Sequence, residues 1–171
     1  IVDYGVGNLF SLECSLNAIG AEVTVTADPE VLKSADQVLL PGVGAFGDAA
    51  EKLRATGLDA VLKELAAEGK PLLGICLGMQ LLFEKGYEYG EHEGLGLIKG
   101  SVVPMEGVIP ADLKIPHIGW NALKFKKTSP LFQNIKEGDC VYFVHSFYAA
   151  DCEESILATA EYGAELTAAV A

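Results

Sequence analysis

The sequence predicts an α/β fold: one domain over residues 1–171, with a mostly parallel open sheet flanked by helices and a β-rich second half. Over residues 1–85, short apolar runs alternate with segments of helical periodicity. After about residue 95, apolar runs follow one another across turns that contain Gly and Pro, with no helical pattern between them. With 171 residues, 50% of them hydrophobic, the chain is long enough to bury one sizeable core.

The first half contains predicted strands, each followed by a helical pattern. The strands cover residues 1–4, 21–26, 37–40 and 71–75; the helices cover residues 9–19, 49–55, 58–67 and 77–85, and one more starts at Asp28-Pro29. Asp28 suits the N-cap and Pro29 the first helical position. Since right-handed crossovers bring the carboxyl ends of parallel strands to one edge, we expect a ligand site at that edge.

The second half contains only predicted strands. They cover residues 97–103, 117–125, 141–145, 156–161 and 166–170. No linker, repeat or low-complexity segment separates the two halves, so we expect a single domain.

Composition excludes several classes of function. The formal net charge of −12, from 24 acidic and 12 basic residues, would repel nucleic acid. The apolar runs are far shorter than the roughly 20 residues that span a bilayer. No basic and apolar leader precedes Asp3, so a soluble cytoplasmic protein with no membrane partner is expected.

The four cysteines form no Cys-x-x-Cys pair and have no zinc-site spacing to histidine, so we expect no metal and no cofactor. Cys14, Cys140 and Cys152 are expected to be small buried hydrophobes. Cys76 differs because it lies between a predicted strand and a predicted helix, in Gly74-Ile75-Cys76-Leu77-Gly78.

A nucleophile on a sharp strand-to-helix turn needs small residues around it, and glycines stand two positions to either side of Cys76. A helix start lowers the pKa of a thiol, so we expect a raised thiolate fraction. The N–H of Leu77 is a candidate oxyanion donor. The alternative is a buried cysteine at a tight packing point.

The glycine-rich segment 41–47 follows the preceding predicted strand. Its backbone N–H groups are candidates for the second oxyanion donor. The alternatives are an ordinary turn or a phosphate cradle, but no Gly-Lys-Ser/Thr follows. Gly5-x-Gly7 lacks the third glycine and the later acidic residue of a dinucleotide site.

Residues 74–82, Gly-Ile-Cys-Leu-Gly-Met-Gln-Leu-Leu, resemble the nucleophile segment of the class I (triad) glutamine amidotransferases. Four further segments narrow the resemblance to the glutaminase subunits of imidazole glycerol phosphate synthase: residues 3–9, 40–46, 116–121 and 142–146. Together the matches run from residue 1 to about 162. The resemblance implies a flavodoxin-like fold.

It also implies a mechanism. The thiolate of Cys76 attacks the side-chain amide carbon of glutamine, and N–H groups of Leu77 and of the Val43–Gly44 segment hold the oxyanion. Ammonia leaves, and the glutamyl thioester is hydrolysed to glutamate. The ammonia passes to a (β/α)₈ cyclase subunit in a heterodimer of histidine biosynthesis.

By the same resemblance, Gln80 and Glu88 hold the amino-acid end of the substrate, and His145 and Ser146 line the pocket. Asn8 and Trp120 are candidates for the face toward the partner subunit. For Trp120 the alternative is ordinary core packing.

One part of the family pattern is absent. The triad also uses a His and a Glu from a His-Pro-Glu tripeptide, and none of His92, His117 and His145 is followed by Pro-Glu. We expect the two triad residues to lie outside this sequence, which stops at Ala171 within a predicted strand, and we expect slow turnover by the chain as given. His145 is a candidate for a substitute base, but the resemblance assigns proton transfer elsewhere and favours a packing or pocket role for it. His92 reads as a solvated loop residue.

Three alternatives remain open at this point. The chain could be the glutaminase of another acceptor, such as in anthranilate, CTP or GMP formation. The missing tripeptide is also compatible with a catalytically inactive regulatory subunit. A cysteine peptidase on a similar turn ranks last, since it leaves Gln80 and Glu88 without a purpose.

Overall fold

A computed structural model describes residues 1–171, which divide into two compact units, Ile1–Leu97 and Ile98–Ala171. The division falls close to the change of pattern that the sequence shows near residue 95. All of the α-helices lie in the first unit, and the second is built from strands and one short 3₁₀ turn. The β-rich second half is therefore confirmed.

The first unit alternates helices and strands. Its elements are α1 (Leu9–Ala18), α2 (Pro29–Ser34), β1 (Val38–Leu40), α3 (Phe46–Ala55), α4 (Leu58–Ala67), β2 (Leu72–Gly74), α5 (Leu77–Gln80), β3 (Phe83–Gly86) and β4 (His92–Glu93).

A parallel sheet forms the centre of this unit. β1 and β2 pair in parallel, with Leu40 opposite Gly74. On the other side of β1, the N–H of Val2 donates to the carbonyl of Leu39 at 3.0 Å. Val2 in turn forms a parallel bridge with Thr26. The ends of the parallel strands β1 and β2 place the glycine-rich segment beside Cys76.

Local signals explain the helices that the sequence predicted well. The carboxylate of Asp28 accepts the N–H of Glu30 at 2.9 Å and caps α2. α3 and α4 are separated by Gly57, whose φ of 74° favours glycine. The buried residues of α4 are Leu58, Leu62 and Leu65, spaced four and three residues apart.

The predicted helix over residues 77–85 is wrong beyond Gln80. Leu81, Leu82 and Phe83 are all buried, which a helix with one apolar face does not allow. The chain turns into β3 instead, which pairs antiparallel with β4. His92 lies in β4 and is half-buried, so its reading as a solvated loop residue is also wrong.

The second unit is antiparallel. Its strands are β5 (Ile98–Pro104), β6 (His117–Phe125), β7 (Cys140–His145), β8 (Phe147–Ala150), β9 (Ile156–Glu161) and β10 (Glu165–Val170), with a 3₁₀ turn at Pro130–Phe132. One sheet has the order β10-β9-β6-β7, and β8 pairs with β5. The sequence missed β8, because only Ser146 separates it from β7.

Two hydrophobic clusters stabilise this unit. Leu123, Phe132, Leu157 and Ala158 form one of them. Met105, Ile109 and Leu166 form the other.

The prediction of buried cysteines is right only for Cys152. Cys14 is exposed on α1, a helix with no fully buried residue. Cys140 is exposed because alternate side chains of β7, including Tyr142 and Val144, face outward. The longest helices have ten residues, and none is long and apolar enough to cross a membrane.

Candidate active site

Cys76 has a backbone conformation that side-chain-bearing residues rarely adopt. It lies between β2 and α5 with φ 55° and ψ −117°. Such a conformation costs about 1–3 kcal/mol and persists only where the surrounding structure enforces it. A strand-to-helix turn of this kind is the arrangement that presents a nucleophile at the edge of a parallel sheet.

Glycines on both sides allow the turn. A Cβ atom on Gly74 would lie 2.6 Å from the backbone of Met79. A Cβ atom on Gly78 would overlap the carbonyl oxygen of Leu40, which accepts the N–H of Ile75 at 3.0 Å. The predicted need for small residues two positions from Cys76 is therefore confirmed.

The protonation of the thiol differs from the sequence expectation. Although Cys76 reaches solvent, burial by surrounding atoms raises the pKa of its thiol, and the backbone N–H of Leu77 acts in the opposite direction with a smaller effect. The expectation of a lowered pKa is wrong in its net direction. α5 has only four residues, so its dipole is small against the loss of hydration. Cys76 is thus a thiol that requires a base.

The glycine-rich segment packs against the start of α5. A Cβ atom on Gly42 would lie 2.7 Å from the N of Gly78 and 2.8 Å from the Cβ of Leu77. Pro41 is held by the hydroxyl of Tyr4, which donates to its carbonyl at 2.7 Å. Only glycine at position 42 permits this approach of the two backbones.

The next two residues have unused donors. Val43 and Gly44 are exposed, Gly44 has φ 91°, and the N–H of neither donates to a protein acceptor. Together with the N–H of Leu77, they are backbone donors on the elements that adjoin Cys76. This set can hold a developing oxyanion.

Gln80 and Glu88 lie in the same unit as Cys76. Gln80 ends α5, and its N–H donates to the carbonyl of Cys76 at 3.1 Å. The carboxylate of Glu88 accepts the N–H of Phe46 at 2.8 Å, so it reaches the end of the glycine-rich segment.

His145 and Ser146 lie in the second unit, where His145 belongs to a partly buried network of hydrogen bonds. Its Nδ1 donates to the carbonyl of Phe147 at 2.9 Å, and its Nε2 lies 3.0 Å from Nδ1 of His117. Burial lowers the pKa of His145. Because both ring nitrogens contact protein groups, His145 is not arranged as a free base.

The sequence analysis did not identify His117 as part of the hydrogen-bond network of His145. It is buried, stacks on Tyr162 with ring centroids 4.0 Å apart, and its Nε2 lies 2.8 Å from the Oδ1 of Asn121. A signal was available: residues four apart on one strand share a face, and both residues are polar within β6.

The two candidate partner-facing residues are both exposed. Asn8 caps α1 by accepting the N–H of Ser11 at 3.2 Å. Trp120 is 70% exposed and meets Tyr142 edge-on, with centroids 5.6 Å apart. Core packing, the alternative for Trp120, is therefore wrong.

The sequence and this geometry agree with a known family. The glutamine amidotransferase class-I family matches residues 1–171. The chain belongs to the class I glutamine amidotransferases. A solved structure described as a glutamine amidotransferase superposes with a TM-score of 0.70 over 92% of this chain and 78% of its own, at 19% identity. At that identity the likeness shows the fold alone, and it confirms the predicted α/β class.

Curated amidotransferase relatives share about half of their residues with this chain. An Aquifex aeolicus protein named imidazole glycerol phosphate synthase subunit HisH is 52% identical over 95% of this chain and 78% of its own length. Proteins of the same name from Sulfurimonas denitrificans and Bacillus licheniformis are 51% and 52% identical. Their matches span 100% and 99% of this chain, and 83% and 81% of theirs.

Proposed function

We propose that this chain is the glutaminase subunit of an imidazole glycerol phosphate synthase, in histidine biosynthesis. The observation that carries the proposal is the left-handed Cys76 between β2 and α5, next to a glycine-rich segment with unused backbone N–H groups. The names of relatives that are about half identical support the choice of acceptor.

The chemistry follows from these groups. The Cys76 thiol gives its proton to a base, and its sulfur forms a bond to the side-chain amide carbon of glutamine. The carbonyl oxygen becomes an oxyanion, held by the N–H of Leu77 and by those of the Val43–Gly44 segment. The carbon–nitrogen bond breaks, the nitrogen takes up a proton and ammonia leaves. Water then hydrolyses the thioester, which releases glutamate and the thiol.

The remaining site residues bind the substrate. Gln80 and Glu88 hold the amino-acid end of glutamine, and a carboxylate suits its ammonium group. No cofactor takes part in this scheme.

The scheme requires a base that takes up the proton of the Cys76 thiol. In the family pattern it is a histidine followed by Pro-Glu, and His92, His117 and His145 lack that context. General base help contributes about 10²–10⁴-fold to rate. Since burial raises the pKa of the Cys76 thiol, the rate of glutamine hydrolysis should depend on that base.

Ammonia is passed to a (β/α)₈ cyclase subunit in a heterodimer, and Asn8 and Trp120 face that partner. Trp120 belongs to an exposed apolar surface of β6 and β7, together with Ile118, Tyr142 and Val144. Exposed aromatic residues in such a surface are typical of a protein interface.

The test uses Cys76→Ser in a form that carries the family's His-Pro-Glu segment, mixed with the cyclase subunit. Glutamine-dependent product should vanish, while product from supplied ammonium should persist. Cys14→Ser, a second exposed cysteine, is the matched control and should leave both rates unchanged. Retained glutaminase activity in Cys76→Ser would show that the nucleophile is wrong.

A further inference from the structure

The N-terminus of α3 is capped from a distant part of the chain. α3 begins at Phe46, and its N-cap residue, Ala45, offers no side-chain acceptor. The Oε2 atom of Glu88, 42 residues further along, accepts the N–H of Phe46 at 2.8 Å. A carboxylate at this position also faces the positive end of the helix dipole. Glu88 therefore supplies the cap that the local sequence lacks.

The side chain of Phe46 is held by the same part of the chain. Its ring is fully buried, and a Cβ atom on Gly86 would lie 2.5 Å from the ring Cγ. Residues 86–88 thus fix both the ring and the N–H of Phe46. By contrast, Gly44 is exposed and has no atom within 4 Å of a Cβ built on it.

The segment between Pro41 and Phe46 is consequently fixed at both ends and open in the middle. Tyr4 holds its first residue, and Glu88 holds its last. The unused donors of Val43 and Gly44 lie between these two anchors. Their direction toward Cys76 depends on where each anchor places the chain.

We propose that Glu88 is a positioning residue for the oxyanion donors, in addition to its part in holding the substrate. The inference rests on the proposed function and deepens it. One carboxylate oxygen fixes Phe46, while the other has no protein partner and is available to the substrate's ammonium group. Occupation of the amino-acid site and the position of the Val43–Gly44 donors are therefore linked through a single side chain.

Two substitutions separate the two roles. In Glu88→Gln the amide oxygen can still accept the N–H of Phe46, but the negative charge for the ammonium group is lost. In Glu88→Ala both are lost. Glu51→Ala, an exposed carboxylate on α3, is the matched control for removing a charge.

The readouts use two substrates on the full chain. Glutamine has an amino-acid end, whereas p-nitrophenyl acetate has none, and it acylates a thiolate through the same kind of oxyanion. We measure acylation of Cys76 at alkaline pH, with Cys76→Ser as the background. Glu88→Gln should raise the KM for glutamine and keep the ester rate within about twofold of the parent. Glu88→Ala should also lower the ester rate about fivefold, the effect of losing a helix cap of typical strength.

Amide hydrogen exchange of residues 42–48 provides a readout without turnover. It should speed up in Glu88→Ala and stay unchanged in Glu88→Gln and Glu51→Ala. If Glu88→Ala does not fold, Glu88→Asp takes its place, since the shorter side chain keeps the charge but withdraws the acceptor from Phe46.

The positioning role would be overturned if Glu88→Ala kept the parental ester rate. It would also be overturned if the ester rate fell equally in Glu88→Ala and Glu88→Gln. Failure of the proposed function looks different. In that case Cys76→Ser would acylate as fast as the parent, whatever residue stands at position 88.

Discussion

The carbonyl oxygen of Leu40 occupies the place that a side chain on residue 78 would need. The same oxygen accepts the N–H of Ile75 at 3.0 Å, which joins the end of β1 to the start of the Cys76 turn. This contact between the two strand ends leaves no direction in which a larger residue 78 could move without breaking the turn. Glycine is therefore required at position 78 because there is no space for a side chain, and not because residue 78 takes part in the reaction.

Gly78→Ala should destabilise the chain by about 3 kcal/mol, the upper range for overpacking a tight site. Gly69→Ala is the control, since Gly69 has φ 80° and open space around it. That variant should lose only about 1 kcal/mol, from its backbone conformation. Urea unfolding measures both, and equal losses would contradict the packing argument.

Cys76→Gly should be more stable than Cys76→Ala by about 1 kcal/mol, because φ 55° is strained for alanine and not for glycine. Both variants lack the sulfur, so their difference isolates the backbone strain. Urea unfolding of the pair gives the value. An alanine variant as stable as the glycine variant would mean that the turn stores no strain.

The alkylation rate of Cys76 should increase only at alkaline pH. Because burial raises the pKa of its thiol, alkylation by iodoacetamide should have its inflection above about 8.5, the ordinary thiol value. Cys14→Ser/Cys140→Ser leaves Cys76 as the only exposed cysteine for this measurement. An inflection below 8 would restore the expectation of an ionised thiol at neutral pH.

Stability should decrease as pH falls through the range of histidine titration. The pKa of His145 is lowered on folding, by burial first and by neighbouring His117 last, while the bond to the Phe147 carbonyl opposes the change. Above pH about 6.5 both folded and unfolded forms are neutral, and below it only the unfolded chain readily takes up the proton. The loss is at most about 1.4 kcal/mol per pH unit.

His145→Asn should flatten this dependence between pH 6.5 and 5, because asparagine does not titrate. His145→Gln, a second replacement that does not titrate, should flatten the slope to the same extent. Unfolding free energies at several pH values test the pair. A parental slope in His145→Asn would show that other groups cause the acid sensitivity.

The sequence was most informative where one local pattern decides the structure. Glycines around Cys76 predicted the turn because backbone crowding there depends on those residues alone. α4 was predicted with the observed bounds, since Gly57 precedes it and its apolar spacing is regular. The strand over residues 117–125 was also predicted with the observed bounds.

The sequence was least informative where contacts between distant residues determine the structure. Residues 83–86 have helical spacing but pair with β4, and the thiol pKa depends on how much water the fold removes from Cys76. The contact between Glu88 and Phe46 joins residues 42 positions apart, and no local sequence pattern predicts it. Such features require the fold before they can be inferred.

Trp120→Ala should weaken binding of the (β/α)₈ cyclase subunit without affecting the chain alone. The indole is 70% exposed, so its removal should change unfolding free energy by less than about 0.5 kcal/mol. At the centre of an interface, an aromatic anchor contributes about 2 kcal/mol or more, which is roughly thirtyfold in Kd. Tyr89→Ala is the control, because Tyr89 is an aromatic residue that is 90% exposed and is not among the residues proposed to face the partner. Calorimetric titration with the cyclase measures both, and equal affinities of the two variants would remove Trp120 from the interface.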